Sequence, residues 1–267
     1  MAKNLEIFAR QQIKNHYERH AEQIRATNFL SDYAADLLQE KLSAINLPYQ
    51  KILNLGCGST KLDSFLAKKF PNCTITETSY SANFLKSAKS SNQQIICDEE
   101  NLPFAPNSFE LIFSILNLHK INRLPETLFK IRELLTERGA FIACFIGGES
   151  LTELRAACLA ADAGLNSASA KVAPMIEVKT AGMLLQKTGF HLPVADSEKV
   201  TLEYSNVEKF LYDLKEAGEG NFLTQKSKQL MSKKRLNLIK ENYLKNNSKD
   251  NIISATIEFI NLTGFKS

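Results

Sequence analysis

The apolar run Lys51-Ile52-Leu53-Asn54-Leu55 ends in Gly56-Cys57-Gly58, and a helix-like stretch follows from Leu62 to Phe70. A strand feeding a glycine turn lets the backbone approach a ligand closely, and the helix beyond offers free N–H groups. A lone G-x-G is weak evidence, but its place at the end of a first strand strengthens it. Two later apolar runs end in acid-bearing segments, Glu77-Thr78-Ser79 and Cys97-Asp98-Glu99-Glu100. In open α/β sheets ligands lie outside the carboxyl ends of the strands, where an acid after strand two holds ribose hydroxyls. An acid after strand three can accept from an adenine amino group. Taken alone, Glu99 and Glu100 are better read as solvated loop charges. The chain has no G-x-x-x-x-G-K-[ST] and no G-x-S-x-G, which argues against a P-loop NTPase and removes an α/β-hydrolase elbow.

The four histidines are His16, His20, His119 and His191. His16 and His20 stand i,i+4 and could share a metal, but with no third ligand nearby a solvated face is the better reading and no metal is expected. His119 follows a strand end and is expected to point toward the cleft; with Tyr17 it is a candidate for catalysis. No His-x-Asp with a distant His supports an iron facial triad. The five cysteines are widely spaced and form no CxxC, as expected of reduced, packed thiols.

Positioning these groups requires alternating elements. Residues 5–45 read as two helices, the second with the clearer apolar stripe (Phe29, Leu30, Tyr33, Ala34, Leu37, Leu38 and Leu42). From residue 51 short apolar strands alternate with helices: strands at 51–55, 74–76, 94–97, 109–114 and 140–146, helices at 62–70, 83–90 and 125–135. That order predicts βαβ units and a parallel sheet. Helices are expected at 151–163, 178–188, 206–217 and 224–245, with two last strands inside 190–204 and 252–265. The expected fold is α/β and Rossmann-like: a seven-stranded, mostly parallel sheet with a helical N-terminal lid and helical insertions. Three segments are expected, a lid at 1–48, a cofactor-binding core at 49–148, and a helical substrate-side region at 149–267 that completes the sheet.

The 267 residues are 44% hydrophobic and 23% charged, ordinary globular values that exclude disordered, collagen-like and coiled-coil classes. No apolar run reaches the length of a membrane span, and the N-terminal stretch carries charges throughout rather than an apolar h-region. A cytoplasmic location is the expectation. The net charge of +4 is unevenly spread: residues 226–250 hold eight Lys/Arg against two acids. Such a run is most often a solvated helix face; the alternative is a surface for an acidic partner or a membrane. No nucleic-acid partner is expected.

The order GCG, CDEENLPF, NSFELIFS, LH and LL-x-x-x-G resembles class I S-adenosylmethionine (SAM) methyltransferases. Within them it is similar to the branch holding the malonyl-carrier-protein methyltransferase of biotin synthesis, whose lid helix resembles Phe8-Ala9-Arg10…Tyr17…Ala21. Two segments, Gly147-Gly148-Glu149-Ser150-Leu151-Thr152-Glu153-Leu154-Arg155 and Tyr212-Asp213-Leu214-Lys215-Glu216-Ala217-Gly218-Glu219-Gly220-Asn221, are similar to signatures of the mitochondrial complex I assembly factors with arginine hydroxylase activity and their bacterial relatives. The resemblance covers nearly the whole chain.

The resemblance implies SAM as cofactor and methyl transfer to a protein, carrier-bound or small-molecule acceptor. Arginine hydroxylation and a non-catalytic protein that keeps the fold are the alternatives. It implies a cofactor site of Asn54, Gly56, Cys57, Gly58, Glu77, Ser79, Asp98, Glu99, Ser114 and Leu116. The glycines would line the methionine end, Asp98 and the Glu99 backbone would meet adenine, and Ser114 and Leu116 would line the far wall. It also implies a lid over residues 5–24 in which Arg10 and Tyr17, at i,i+7, face a carboxylate. Arg155 would lie on the substrate side, where helices at 149–170 and 206–217 form a docking wall. The chain departs from the pattern at Asn54, where an acid is usual, at Thr60, where a third glycine is usual, and at Ser79, the ribose position. Serine grips a ribose less strongly than a carboxylate does, so a weakened or lost cofactor site is also expected; Glu77 is the substitute.

Overall fold

A computed structural model describes residues 6–27, 29–165, 170–225, 232–249 and 252–267. Parts of three expectations fall outside these residues: the lid's first residue, Leu5; positions 166–169 of the docking wall; and positions 226–231 and 250 of the basic run.

Five strands, β1 (Lys51–Leu55), β2 (Thr74–Ser79), β3 (Gln93–Ile96), β4 (Phe109–Ile115) and β5 (Leu135–Ile146), form a parallel sheet. The C-terminal half adds β6 (His191–Tyr204), a two-residue β7 (Ser248–Lys249) and β8 (Ile252–Phe265). The spatial order is β3-β2-β1-β4-β5-β8-β6, with β7 pairing only with β8. β8 runs antiparallel to both β5 and β6, so the sheet is seven-stranded along its main path and mostly parallel. Strand order reverses between β1 and β4, the place where open α/β sheets open a crevice for ligands.

β1 and β4 are buried along nearly their whole length, as parallel strands covered on both faces must be. On one face Leu38, Leu42, Phe113, Ile142, Phe210 and Tyr243 share a core, contributed in part by α2 (Phe29–Ser43), α8 (Val207–Glu216) and α9 (Lys233–Asn247). On the other, Leu53, Ile112, Phe141, Leu128 and Leu185 pack together with α5 (Leu124–Leu134) and α7 (Val178–Lys187). The remaining helices are α1 (Arg10–Ala26), α3 (Asp63–Lys69), α4 (Ala82–Ser87) and α6 (Thr152–Ala163). Helix starts follow local chemistry: Asn206 and Ser232 side chains cap α8 and α9, and Pro125 opens α5.

Three expectations change. The helix expected from 224 begins only at Lys233, with Thr224 and Gln225 in a turn. β5 starts at Leu135, five residues early, because Leu135 pairs with Phe109 before an irregular stretch in which Arg138 turns left-handed. The expected lid of residues 1–48 divides as well. α2 buries Leu30, Ala34, Leu38 and Leu42 in the main core, because its apolar stripe is broad enough to face the sheet; only its first turn, Leu30 to Asp32, lines the cleft, which α1 roofs.

Candidate active site

The crevice beyond β1, β2 and β4 opens into a cleft of about 420 Å³. Gly56, Gly58 and Ser59 form its floor, Ser79 and Tyr80 one side, Leu116 and Asn117 the other, and Tyr17, Ile24 and Arg25 of α1 its roof. Gly56 has φ +90°, and a Cβ on it would stand 2.5 Å from Asn117 Nδ2. Glycine is required there on both counts. Cys57 and Leu116 adopt left-handed φ values of 47° and 51° without being glycine; such strain concentrates at ligand sites. Asn117 Nδ2 is buried with no partner, a donor left for something in the cleft.

Arg25 was not legible as a site residue. Its guanidinium lies 3.9 Å from the Phe84 ring centroid and donates to Cys57 Sγ at 3.2 Å, Phe84 O at 3.3 Å and Gly58 O at 3.4 Å. Among the described residues no carboxylate lies within ion-pair distance of it. An arginine on a cleft wall beside a glycine turn is suited to a ligand carboxylate.

Several expected cofactor residues sit elsewhere. Asn54 is fully buried and ties the turn by donating to Ser59 O at 3.2 Å. Glu77 does not substitute at the ribose position. It is fully buried, one strand step back from Ser79, and both its oxygens are taken by Asn92 Nδ2 and Gln94 Nε2, each at 3.0 Å. Ser114 Oγ donates to Leu55 O at 2.9 Å and links β4 to β1. Cys57 points into protein, where burial pushes its thiol up to about 12. Ser79 and Leu116 do line the cleft. Gly58 is needed for a different reason from the one expected: a Cβ would come within 2.0 Å of Ile115 O, so strand packing rather than ligand space forbids a side chain.

Arg10 does not face the cleft. It pairs with Asp98 at 2.6 Å and with the buried Glu99 carboxylate, and lies 4.6 Å from the Tyr80 ring centroid. Glu99 and Glu100 are thus not solvated loop charges: Arg10 of α1 comes down onto Glu99, and Glu100 accepts from Asn122 N at 2.6 Å and pairs with Arg123 at 3.3 Å. A smaller cavity lined by Arg10, Tyr80, Cys97 and Asp98 adjoins them. Arg155 lines neither large cavity; it donates to Ala173 O at 3.4 Å, tying α6 to the segment before α7. His16 and His20 stack at 4.7 Å.

Tyr17 does reach the site. Lys120 Nζ donates to Tyr17 Oη at 2.9 Å and to Glu219 Oε1 at 2.7 Å, and His119 Nε2 meets Glu219 Oε2 at 2.9 Å. The His119, Lys120 and Glu219 side chains are 3%, 5% and 7% exposed. Burial opposes ionisation of Glu219, but Lys120 and His119 outweigh it and hold the carboxyl at about 2. Burial also keeps His119 below its usual value, against the pull of Glu219.

Behind this cluster lies a second cavity of about 310 Å³. Its walls are mainly apolar, including Phe8, Ile146, Leu154, Leu214, Phe222 and Ile257, with His119 and Lys120 at one end. Glu219 lines both cavities. The Glu219 cluster draws on residues about a hundred positions apart, and no local spacing announces it.

A family model described as a methyltransferase domain matches residues 53–143. The chain is 34% identical over 212 residues to a Rickettsia prowazekii protein whose name calls it a methyltransferase, covering 78% of this chain and 91% of that one. It is 28% identical to the mitochondrial arginine-hydroxylase NDUFAF5 of Danio rerio, covering 90% and 75% respectively, and spans 65% of the human counterpart. It is also 28% identical to the malonyl-[acyl-carrier protein] O-methyltransferase of Gallionella capsiferriformans, covering 95% and 90%. A Bacillus halodurans crystal structure titled as a methyltransferase superposes with a TM-score of 0.60 at 12% identity, covering 86% of this chain and 97% of that one; at that identity the likeness shows the fold alone. The cleft, with Gly56, the unpartnered Asn117 donor and Arg25, fits SAM as the cofactor, and the chain belongs to the class I SAM-dependent methyltransferases, among the relatives of NDUFAF5.

Proposed function

We propose that the chain methylates an acceptor held in the apolar cavity, across the wall formed by Tyr17, Lys120 and Glu219. One observation carries this reading: Glu219 lines both cavities, so a cofactor compartment and an acceptor compartment abut at one carboxylate. When bound, SAM supplies an electrophilic methyl group on a sulfonium. Arg25 and Asn117 would hold its amino-acid end and Ser79 and Tyr80 its ribose, and Asp98, shared with Arg10 in the adjoining cavity, would take the adenine side. α1 roofs the cleft and excludes water, as lids do. The acceptor is presented by a protein or a carrier, in line with the relatives named for an acyl-carrier protein and for arginine.

Hydroxylation of a protein arginine is the second reading, favoured by the likeness to arginine hydroxylases over 90% of the chain. Calorimetry with S-adenosylhomocysteine tests the shared premise, and no binding at millimolar ligand would overturn it. Mass spectrometry of a modified acceptor then separates the readings, since an added methylene and an added oxygen differ in mass.

A further inference from the structure

The apolar cavity behind the Glu219 cluster is lined by three lysines, Lys120, Lys171 and Lys215, against one acid, Glu219. Lys120 is buried and committed, since it donates to Glu219 and to Tyr17. Lys171 and Lys215 are not. Among the described residues neither has a carboxylate within ion-pair distance. Lys171, in the segment between α6 and α7, is half-buried, and Lys215, in the last turn of α8, is exposed. Lysines so placed pack their stems on apolar surface and keep their ammonium groups in water. The cavity therefore has a closed end, at the buried His119 and Lys120, and a solvent end that holds two uncommitted cations. Leu154 and Cys158 of α6, Val172 and Met175, and Leu211 and Leu214 of α8 supply apolar wall.

Such a cavity selects a ligand by its two ends. An apolar body gains by leaving water for that wall. An ionised head cannot follow it inward unpaired, so the head stays at the solvent end. There a cationic head meets two ammonium groups of its own sign, and a neutral head leaves them unused. A carboxylate or phosphate takes charge-assisted bonds from them. We infer that the cavity binds an aliphatic chain with an anionic head group, the head held by Lys171 and Lys215 and the chain running inward toward Glu219. The inner end of the chain then meets the wall shared with the cofactor cleft, so the group to be modified sits at the end of the chain remote from the anion. That last step rests on the function proposed above; binding of the chain and its head does not, and needs no cofactor.

The test is calorimetric titration of the full chain with octanoate, octyl phosphate, octan-1-ol and octyltrimethylammonium, at concentrations where each stays monomeric. At least one of the two anions should bind at least about 10-fold tighter than the alcohol, with the ammonium compound weakest. The tighter anion tells a carboxylate head from a phosphate head. Lys171→Ala with Lys215→Ala should bring both anions down to the alcohol, and Lys171→Glu with Lys215→Glu should turn the preference toward the ammonium compound. The inference is overturned if the alcohol or the ammonium compound binds as tightly as both anions, or if the double alanine variant keeps the preference for an anion. S-adenosylhomocysteine is titrated alongside. Its failure to bind where an anion binds would overturn the methyltransferase reading alone, and the reverse would overturn this inference alone.

Discussion

At the scale of single residues, Arg25 and Asp63 are linked through the turn they flank. Arg25 has carbonyl and sulfur partners but no acid within ion-pair distance among the described residues, so Arg25→Ala should weaken S-adenosylhomocysteine by roughly 10–100-fold, the size of a charge-assisted bond. Calorimetry measures it, and unchanged affinity would place the ligand's carboxylate elsewhere. Asp63 opens α3 and accepts from Asn92 at 3.1 Å, with its other oxygen buried and unpartnered. Burial and then the nearby Glu77 push its carboxyl up to about 6. Its folded value exceeds the ordinary 3.8 of an aspartate, so stability present at low pH is lost as pH rises toward 6. Asp63→Asn should remove that loss and stabilise the protein at pH 7 by about 1 kcal/mol, after discounting for solvent screening and the favourable helix N-terminus. Urea unfolding at pH 4 and pH 7 checks it; an equal effect at both would refute the argument.

At the scale of elements, the sheet was legible and the contacts between distant loops were not. Strands such as Phe109–Ile115 declare themselves by continuous apolar runs between turn residues, because a parallel strand is buried on both faces. The last two strands were legible from the β-branched and aromatic content of 252–265 and the extended stretch near 200. α2 was misgrouped with the lid because position before the first strand says nothing about which side of the sheet a helix covers. Arg10 and Tyr17 were paired by helical spacing, yet they serve different neighbours: Arg10 clamps Asp98 and Glu99, and Tyr17 meets Lys120. The α1 clamp gives a prediction. Arg10→Ala leaves Glu99 buried without its cation, which should cost roughly 3–5 kcal/mol. Hydrogen exchange should show residues 10–26 opening first, since α1 loses its hold on the segment after β3 and keeps only its ties to α4 and Lys120, among them Glu18 to Ala82 N and Asn83 N and Arg25 to Phe84 O. Uniform acceleration across the sheet instead would mean Arg10 supports the core rather than the lid.

At the scale of the whole molecule, both cavities depend on one helix that precedes every strand. α1 contributes Tyr17, Ile24 and Arg25 to the cleft, buries Ile13 and Ala21, and bonds to the loop after α8 through Ala9 N to Phe222 O at 2.8 Å. Its closure therefore couples the cofactor cleft to the Glu219 cluster. The basic run is also partly spent inside the fold, since Arg235 pairs with Asp162 and Lys240 with Glu208. Those two cations are thereby less available to an acidic partner or a membrane. Deleting residues 1–24 removes Arg10 from Glu99 and Tyr17 from Lys120, and leaves Arg25 without the helix that holds it over Gly58. In the full chain, S-adenosylhomocysteine at a hundred times its dissociation constant should stabilise by about 2.7 kcal/mol. For a chain of this size that is roughly 5–10 °C of thermal midpoint. The truncated protein should unfold at lower temperature and show no ligand shift. A truncated protein with native circular dichroism and the full shift would mean that α1 packs beside the site without forming part of it.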